Sequence, residues 1–413
     1  MNRTILHCDL NNFYASVECA KNPKLQGKAV AVCGNTDDRH GIVLAKSQLA
    51  KQQNVKTGDT IIEAKRKSPD LIIVHTDFDS YYEYSEKVKK IYKRYTDLIE
   101  PFGMDECWLD VSGSEKLFGN GKNIADRLRY EVFKETGLTI SVGVSFNKVF
   151  AKLGSDMKKP NATTVISQEN FKEKIWNLPA REMLFVGRNT SANLQKNGIK
   201  TIGDIALSTP NFMRRLLGKN GYDLWLYANG LDTSPVSHVD SKVIPQSVSR
   251  GITCVDSLKS TNEALRVIAE LSMQVSKALH QEHLLAKGVQ IAIRNDNLVV
   301  QQYSSNLIIP TQNFQMIIQE SEKLIKNYNW NINIRSITVR TYNLISEDAF
   351  CQIPLGLNMS AYEKQENVDY MVLDMRKRMG KDIIFSGCRL LGTKIPAGKS
   401  EHSSLPPAGY NSN

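Results

Sequence analysis

The chain has 413 residues, 41% hydrophobic and 23% charged, which is too long for one core and predicts two to four domains. No apolar run could cross a bilayer or serve as a signal peptide, so we expect a cytoplasmic protein with no membrane partner. The net charge of +10 favours a polyanionic partner, while seven scattered cysteines offer neither zinc-ligand spacing nor a disulfide framework.

Short apolar runs alternate with helical patterns over the first 165 or so residues. This alternation predicts an α/β or α+β region. The strand-like runs include 29–33, 42–44, 71–74 and 138–144, and the helical stretches include 79–98 and 123–135.

The pattern changes after that region. From about 168 to 231 strand signals stop, and short helices alternate with glycine-containing turns. Residues 232–245 are rich in short side chains and proline, which predicts an interdomain linker. Residues 246–345 follow the order βαββαβ, which predicts one small sheet backed by two helices. A further helical stretch covers about 360–379.

Acidic residues stand at the ends of two strand-like runs that are far apart in the chain. Asp9 follows the apolar run 4–8, and Asp105-Glu106 precedes the run 107–111. Acidic residues at strand ends are usually solvated turn residues. Three carboxylates at adjacent strand ends would instead form a two-metal site for phosphoryl transfer. Since strand side chains alternate, Asp105 and Glu106 can share a site only at a turn or bulge, which Phe102-Gly103 allows.

Four motifs follow one another along the chain: 9–18 (DLNNFYASVE), 103–110 (GMDECWLD), 141–148 (SVGVSFNK) and 152–161 (KLGSDMKKPN). In sequence and order they resemble the motifs of the Y-family, or translesion, DNA polymerases, and the resemblance extends over roughly the first 345 residues. It implies a low-fidelity, template-directed DNA polymerase without proofreading. Such an enzyme transfers a nucleotide from a dNTP to the 3′-hydroxyl of primer-template DNA.

The resemblance also implies the architecture. We expect an α+β fold with a ferredoxin-like palm, small fingers, a helical thumb with helix-hairpin-helix turns, and a separate βαββαβ little-finger domain. A short fingers region implies little closure around the base pair and hence low fidelity. The expected boundaries are 1–19 and 79–167 for the palm, 20–78 for the fingers, 168–231 for the thumb, 232–245 for the linker, 246–345 for the little finger and 346–413 for a C-terminal tail.

Site residues follow from the same resemblance. Two Mg²⁺ ions would be held by Asp9, Asp105, Glu106 and the backbone carbonyl of Leu10, with the three carboxylates catalytic. Tyr14 would be the steric gate that rejects a ribose 2′-hydroxyl. The other expected nucleotide-binding residues are Phe13, Ile42, Lys51 and Lys159.

Ordinary structural roles compete with these nucleotide-binding roles. Phe13 and Tyr14 could be core aromatics, Ile42 a buried strand residue, and Lys51 a solvated lysine. Many relatives have Tyr and Arg where Gln48 and Lys51 stand. Because lysine is a point charge and arginine a bidentate donor, we expect a looser grip on the triphosphate here.

Contacts to DNA are expected from the thumb and the little finger. The thumb hairpin is 185–188, in which Phe185 replaces a glycine common among relatives. Contacts of this kind go to phosphates and weaken with salt. The candidates are Gly187, Arg250, Lys287, Arg294, Arg335 and Arg340.

Residues 352–357 (QIPLGL) resemble the motif by which bacterial polymerases bind the sliding clamp. Gln352, Leu355 and Leu357 would be its anchors, although a plain linker strand is the ordinary alternative. We expect a monomer.

Two other functions compete with the polymerase. One is another two-metal palm enzyme, such as a nucleotide cyclase, against which Tyr14, Lys159 and the basic C-terminal domain argue. The other is a catalytically silent DNA- or clamp-binding accessory protein, against which the three intact carboxylates argue. The sequence does not decide between the DNA polymerase IV and UmuC branches of the family.

Overall fold

The computed structural model describes residues 3–34, 41–241, 244–350, 359–380, 383–384, 387 and 394–395. The chain divides into two compact units, with the boundary after Ser241. Within the described ranges, no helix has both the length and the apolar composition needed to cross a membrane. The candidate clamp motif, 352–357, lies outside the described residues.

The first unit starts with a buried strand and a helix, followed by a small three-stranded sheet. In that sheet β2 is central, antiparallel to β3 and parallel to β4. The side chain of Thr60 caps helix α3 by accepting a hydrogen bond from the amide of Glu63. The carboxylate of Glu63 in turn accepts one from the amide of Thr60. The elements are β1 (Ile5–Leu10), α1 (Phe13–Lys21), β2 (Val30–Cys33), β3 (Val43–Lys46), α2 (Gln48–Gln52), α3 (Ile61–Lys67) and β4 (Ile72–His75).

A five-stranded sheet forms the main core of this unit. Its strand order is β5-β6-β1-β7-β8, so β1 is central and antiparallel to both of its neighbours. Helices pack against it through buried apolar residues such as Ile91 and Leu128. The remaining elements are α4 (Phe78–Tyr92), β5 (Ile99–Pro101), β6 (Glu106–Asp110), α5 (Glu115–Phe118), α6 (Gly121–Thr136), β7 (Ile140–Ser145), α7 (Lys148–Met157) and β8 (Thr163–Ile166).

Short helices follow, as the glycine-punctuated sequence predicts. Side chains of Thr201 and Thr209 cap two of them by accepting hydrogen bonds from backbone amides three residues later. Gly218, with φ +68°, turns the chain between the second of these two helices and the next one. The helices are α8 (Phe171–Ile175), α9 (Arg188–Lys196), α10 (Ile202–Leu207), α11 (Pro210–Leu217) and α12 (Lys219–Ala228).

The first half of the predicted linker, 232–245, is held against the five-stranded sheet. The fully buried ammonium of Lys148 lies 2.7 Å from Glu100 Oε1 and donates to the carbonyl of Pro235 at 3.2 Å. The other oxygen of Glu100 accepts from the amide of Ser237 at 3.0 Å. Because hydrogen bonds to charged groups contribute about 1.5–3 kcal/mol each, these two backbone contacts hold this half of the linker on the first unit.

The second unit has the predicted βαββαβ order, and with the first it confirms the α+β fold class. Its antiparallel strands are ordered β11-β10-β12-β9, and both helices cover one face over buried residues that include Val289, Ile291 and Val339. The elements are β9 (Ser247–Leu258), α13 (Thr261–Glu282), β10 (Leu284–Asn295), β11 (Val300–Thr311), α14 (Phe314–Ile325) and β12 (Ile334–Ser346).

A C-terminal helix, α15 (Met359–Met379), packs onto this second unit. Its buried Asp369 accepts a hydrogen bond through Oδ2 from the amide of Phe314, at 2.7 Å. Phe314 is the first residue of α14, so the carboxyl group caps that helix. Farther along the chain, Lys394 lies 3.0 Å from Glu263 on α13. The C-terminal segment thus adds contacts to both helices of the unit.

Candidate active site

The two acidic strand ends meet in the five-stranded sheet. Asp9 of β1 lies directly opposite Glu106 of β6, so their side chains share one face. Asp105 precedes β6, where Gly103 at φ +92° bends the chain. The carbonyl of Asp105 accepts from the amide of Leu10 at 2.9 Å, which fixes this bend beside the end of β1. A turn therefore stands where the sequence required one.

The three carboxyl groups lie close enough to influence one another. Burial raises the pKa of Asp105 to about 6, and the charges of Glu106 and Asp9 act in the same direction. Burial also raises the pKa of Asp9, with Glu106 contributing, although Lys159 acts against both. Carboxylates gathered out of water in this way are typical of a functional site that binds cations.

Two lysines contact these carboxylates. Lys152 of α7 places Nζ 2.8 Å from Glu106 Oε2 and 3.4 Å from Asp9 Oδ2. Lys159 places Nζ 2.7 Å from Asp9 Oδ2 and 2.9 Å from Asp156 Oδ1. Burial acts to lower the pKa of both lysines, but the carboxylates prevail and raise it. The sequence indicated Lys159, whereas it gave Lys152 no role beyond membership of a motif.

The donor set suits a hard divalent cation, because Asp9, Asp105 and Glu106 offer carboxylate oxygens. In the described part of the chain, no three His, Cys, Asp or Glu side chains converge at metal-ligand spacing. The carboxylates of Asp9 and Glu106 are engaged by Lys152 and Lys159 instead. A cation that binds Asp9 Oδ2 therefore has to displace the ammonium of Lys159 from it.

Tyr14 lies beside the carboxylates. Burial, and then the charge of Asp105, raise the pKa of Tyr14 to about 12. Its ring stacks on Tyr81 of α4, with centroids 4.4 Å apart and planes 17° apart. The hydroxyl of Tyr81 donates to the buried Glu18 at 2.8 Å. Phe13 is a buried core residue, whereas Tyr14 keeps part of its surface accessible. Tyr81 and Glu18 were not indicated by the sequence.

Two expected nucleotide-binding residues near the three-stranded sheet, Ile42 and Lys51, are accessible to solvent. Ile42 is 39% exposed and forms an isolated bridge with Thr60, so it is not a buried strand residue. Lys51 is exposed in the last turn of α2. Burial, and then the nearby ammonium of Lys51, lower the pKa of Lys46, which shows that two lysines lie close together here. Lys46 is a cation that the sequence motifs did not indicate.

The hairpin expected at 185–188 has a left-handed residue where relatives often have a glycine. Phe185 has φ +71°, a left-handed backbone that costs a residue with a side chain about 1–2 kcal/mol. Gly187 is the N-cap of α9, and a Cβ added there would meet no atom within 4 Å. Free amides at a helix start with open space around them can reach a phosphate.

The candidate arginines of the second unit lie on different faces. Arg340 pairs with Gln290, and Arg294 pairs with Ser336, on the sheet face opposite the helices. Lys287 and Arg335 stand at register shifts of the sheet.

Arg250 differs from those residues because it pairs with Val339, on the face that packs against the helices. It is half buried, and burial lowers the pKa of its guanidinium. The structure therefore groups Arg294 with Arg340 and separates Arg250 from both. An open groove of about 750 Å³ beside Arg340 is also lined by Gln290, Ser304 and Tyr342.

Comparisons with known proteins agree with this architecture. Models of the impB/mucB/samB family and of its C-terminal domain match residues 8–156 and 245–355. DNA polymerase IV of Acetivibrio thermocellus is 46% identical over 92% of this chain and 96% of that protein. DNA polymerase IV 1 of Bacillus subtilis is 34% identical over 99% and 96%.

A solved structure of a Y-family DNA polymerase chimera of Dbh and Dpo4 has a similar fold. The TM-score is 0.74 at 23% sequence identity, with 83% of this chain and 99% of that chain covered. Sequence relatives of this similarity over nearly the whole chain, together with the shared fold, establish the family. The chain belongs to the impB/mucB/samB family of Y-family DNA polymerases, with bacterial DNA polymerase IV proteins among its relatives.

Proposed function

We propose that this Y-family DNA polymerase extends a primer along a template during translesion synthesis, at low fidelity and without proofreading. The observation that supports this most is the meeting of Asp9, Asp105 and Glu106 at paired strand ends, next to Tyr14 and Lys159. This arrangement offers groups for the reacting phosphates, the primer hydroxyl and the sugar within one site.

The reaction depends on metal ions, and we assign them to the carboxylates. Asp9, Asp105, Glu106 and the carbonyl of Leu10 would hold two Mg²⁺ ions, and these would supply the positive charge that favours ionisation of the primer hydroxyl and release of pyrophosphate. In this scheme the residue that changes partner is Lys159, whose ammonium leaves Asp9 and donates to the incoming triphosphate. Lys152 is the less exposed of the two lysines and stays near the carboxylates to balance their charge.

Tyr14 gives this site its selectivity for deoxyribose in the proposed function. Its ring is held from behind by the stacked Tyr81, so it has little freedom to move away from a sugar. A ribose 2′-hydroxyl would meet this ring, and the 2′-deoxy sugar would not. Ile42 and Lys51 lie in the region that would contact the base pair and the triphosphate.

Low fidelity is supported by the small region between α1 and α4. It contains three strands of four residues each and helices α2 and α3 of five and seven residues. Elements this few and short offer little surface to close over a nascent base pair. Because closure driven by the correct substrate is a main source of selectivity, little closure implies low fidelity.

We assign the remaining parts of the chain by the same reasoning. The five-stranded sheet is the palm, the three-stranded sheet the fingers, α8–α12 the thumb and the second unit the little finger. The thumb and little finger bind primer-template DNA, and Gln352, Leu355 and Leu357 bind the sliding clamp. The enzyme acts as a monomer in the cytoplasm.

Primer extension with single nucleotides tests this function. A labelled primer is annealed to four templates that differ in the first unpaired base, and each dNTP is supplied alone with Mg²⁺. We expect the complementary dNTP to be added fastest on every template, and misinserted nucleotides to remain on prolonged incubation. Addition that does not follow the template base would contradict a template-directed polymerase, and removal of mismatched ends would contradict the absence of proofreading.

A further inference from the structure

A buried histidine lies directly behind the carboxylates. His7 of β1 is fully buried, two residues before Asp9. Its Nδ1 lies 2.8 Å from Ser155 Oγ, and its Nε2 lies 3.2 Å from Glu106 Oε2. The ring also meets Trp108 edge-on, with centroids 5.1 Å apart. The imidazole therefore connects helix α7 to one of the three carboxylates.

The contact with Ser155 depends on a glycine in the neighbouring strand. Gly143 of β7 lies opposite His7 in the register. A Cβ added at Gly143 would stand 1.9 Å from the carbonyl oxygen of Ala151 and 2.5 Å from the amide nitrogen of Ser155. Helix α7 therefore lies directly on this strand, which brings Ser155 to the imidazole. The same helix brings Lys152 to Glu106.

The hydrogen-bonding options at His7 favour one tautomer. If Ser155 donates its hydroxyl to Nδ1, the Nε2–H faces the Glu106 carboxylate, which is favourable. If Ser155 donates instead to the carbonyl of Lys152, 2.7 Å away, a lone pair of Nε2 faces that carboxylate, which is unfavourable. Among the described residues, Nε2 and Glu106 Oε2 are close but not aligned as a full hydrogen bond.

An apolar residue would fill this position at lower cost if packing were its only role. Leaving one buried nitrogen of an imidazole without a hydrogen-bond partner costs about 1–3 kcal/mol. The ring lies between a hydroxyl that orients it and a carboxylate of the candidate site, so a polar side chain can make contacts here that an apolar one cannot.

We propose that His7 is a positioning residue that donates from Nε2 to Glu106 Oε2 and so fixes the direction of the other carboxylate oxygen toward a divalent cation. This proposal rests on the metal site of the proposed function. Partners behind a ligand commonly contribute about 10- to 100-fold to metal affinity.

Metal binding by the full-length protein tests this role without relying on activity. Mn²⁺ is titrated into the protein and followed by electron paramagnetic resonance, for wild type, His7→Phe, His7→Gln and Ser155→Ala. His75→Phe, at an exposed histidine on β4, is the matched control. We expect His7→Phe to weaken Mn²⁺ binding about 10-fold or more, since a planar ring is kept and the donor is lost. His7→Gln, which keeps an amide donor, should recover part of this loss, and Ser155→Ala should show an intermediate loss.

The Mg²⁺ concentration for half-maximal primer extension should rise in the same order, while KM for the dNTP changes little. Wild-type Mn²⁺ affinity in His7→Phe would overturn the proposal. If that variant does not fold, wild-type affinity in both His7→Gln and Ser155→Ala would overturn it, because the ring or its orientation is lost in each.

Glu106→Gln separates this proposal from the proposed function. If Mn²⁺ affinity is unchanged in Glu106→Gln as well as in His7→Phe, the metal site itself is wrong. If affinity falls in Glu106→Gln and not in His7→Phe, only the role of His7 is overturned.

Discussion

At the scale of single residues, two consecutive carboxylates can lie near Asp9 because only one of them belongs to a strand. Glu106 opens β6 opposite Asp9, while Asp105 stands in the bend that Gly103 makes at φ +92°. The sequence could predict that a turn was needed, since strand side chains alternate. It could not predict the bend itself, because a glycine is equally compatible with an ordinary strand start.

Other residues of the site could not be predicted, because they reach it through long-range packing. Lys152 contacts Glu106 only once α7 lies on the sheet, and His7 contacts it only once β1 pairs with β6. Tyr81 contacts Tyr14 only once α4 packs beside α1. Their residue types alone are compatible with a surface lysine, a core histidine and a core tyrosine.

The role of Tyr14 predicts a change in sugar selectivity. In Tyr14→Ala the ring that would meet a ribose 2′-hydroxyl is gone, so the ratio of kcat/KM for dCTP over CTP should fall at least about 10-fold. Single-turnover incorporation of each nucleotide measures this ratio. Tyr82→Ala, at a tyrosine that is 57% exposed on α4, should leave the ratio unchanged. Equal ratios in Tyr14→Ala and wild type would show that the ring does not select the sugar.

At the scale of secondary-structure elements, the type and order of most elements followed from the sequence, because apolar periodicity and capping residues are local signals. The βαββαβ order of the second unit is one example. How the elements pack depended on residues with no local signal. A glycine inside a strand usually weakens that strand, so the sequence gives no reason for Gly143. In the structure, the absence of a side chain at Gly143 lets α7 lie against the sheet.

The close approach of α7 to β7 predicts a large effect of one methyl group. Gly143→Ala should destabilise the protein by about 3 kcal/mol, because the added Cβ would overlap the backbone of α7. Activity should fall too, since Lys152 would move with the helix. Urea denaturation measures the first effect and primer extension the second. Gly113→Ala is the control, because a Cβ there meets nothing within 4 Å; similar stability of the two variants would rule out this packing.

The contact between α15 and α14 predicts a dependence on pH. Burial raises the pKa of Asp369 to about 7, with the charge of Glu366 acting in the same direction. Between the ordinary pKa of an aspartate, about 4, and about 7, the folded state keeps a proton that the unfolded state has released. The contribution of Asp369 to stability is therefore fully present below about pH 4 and decreases as the pH rises toward 7.

Hydrogen exchange of the peptide that contains α15 measures this effect, after correction for intrinsic exchange rates. Protection should be greater at pH 5 than at pH 8 in the wild type. In Asp369→Asn, which has no proton to lose, the difference between the two pH values should shrink. A difference of the same size in both proteins would assign the pH dependence to other groups.

At the scale of the whole molecule, the net charge of +10 suggested a polyanionic partner, and the family assignment identifies the protein as a DNA polymerase. The boundary between the two units, after Ser241, falls within the predicted linker, 232–245. The contacts that hold the linker could not be predicted, because those of Glu100 and Lys148 with Ser237 and Pro235 join segments more than 80 residues apart.

The arrangement of arginines on the second unit predicts how salt weakens DNA binding. Arg294→Ala and Arg340→Ala should each reduce the slope of log affinity against log salt concentration by about 1, if each arginine neutralises one phosphate. Arg250→Ala should leave the slope unchanged, because Arg250 lies on the face packed against helices. Fluorescence anisotropy with a primer-template duplex measures the slope. A reduced slope in Arg250→Ala alone would place DNA on the other face.

The central claim, that Asp9, Asp105 and Glu106 form the catalytic site, is tested most directly by the single-turnover rate of correct dNTP addition in Asp105→Asn. This substitution keeps the size of the side chain and removes its charge. We expect the rate to fall about 100-fold or more, while Asp70→Asn, at an exposed aspartate, keeps the wild-type rate. Addition by Asp105→Asn at the wild-type rate would contradict the account.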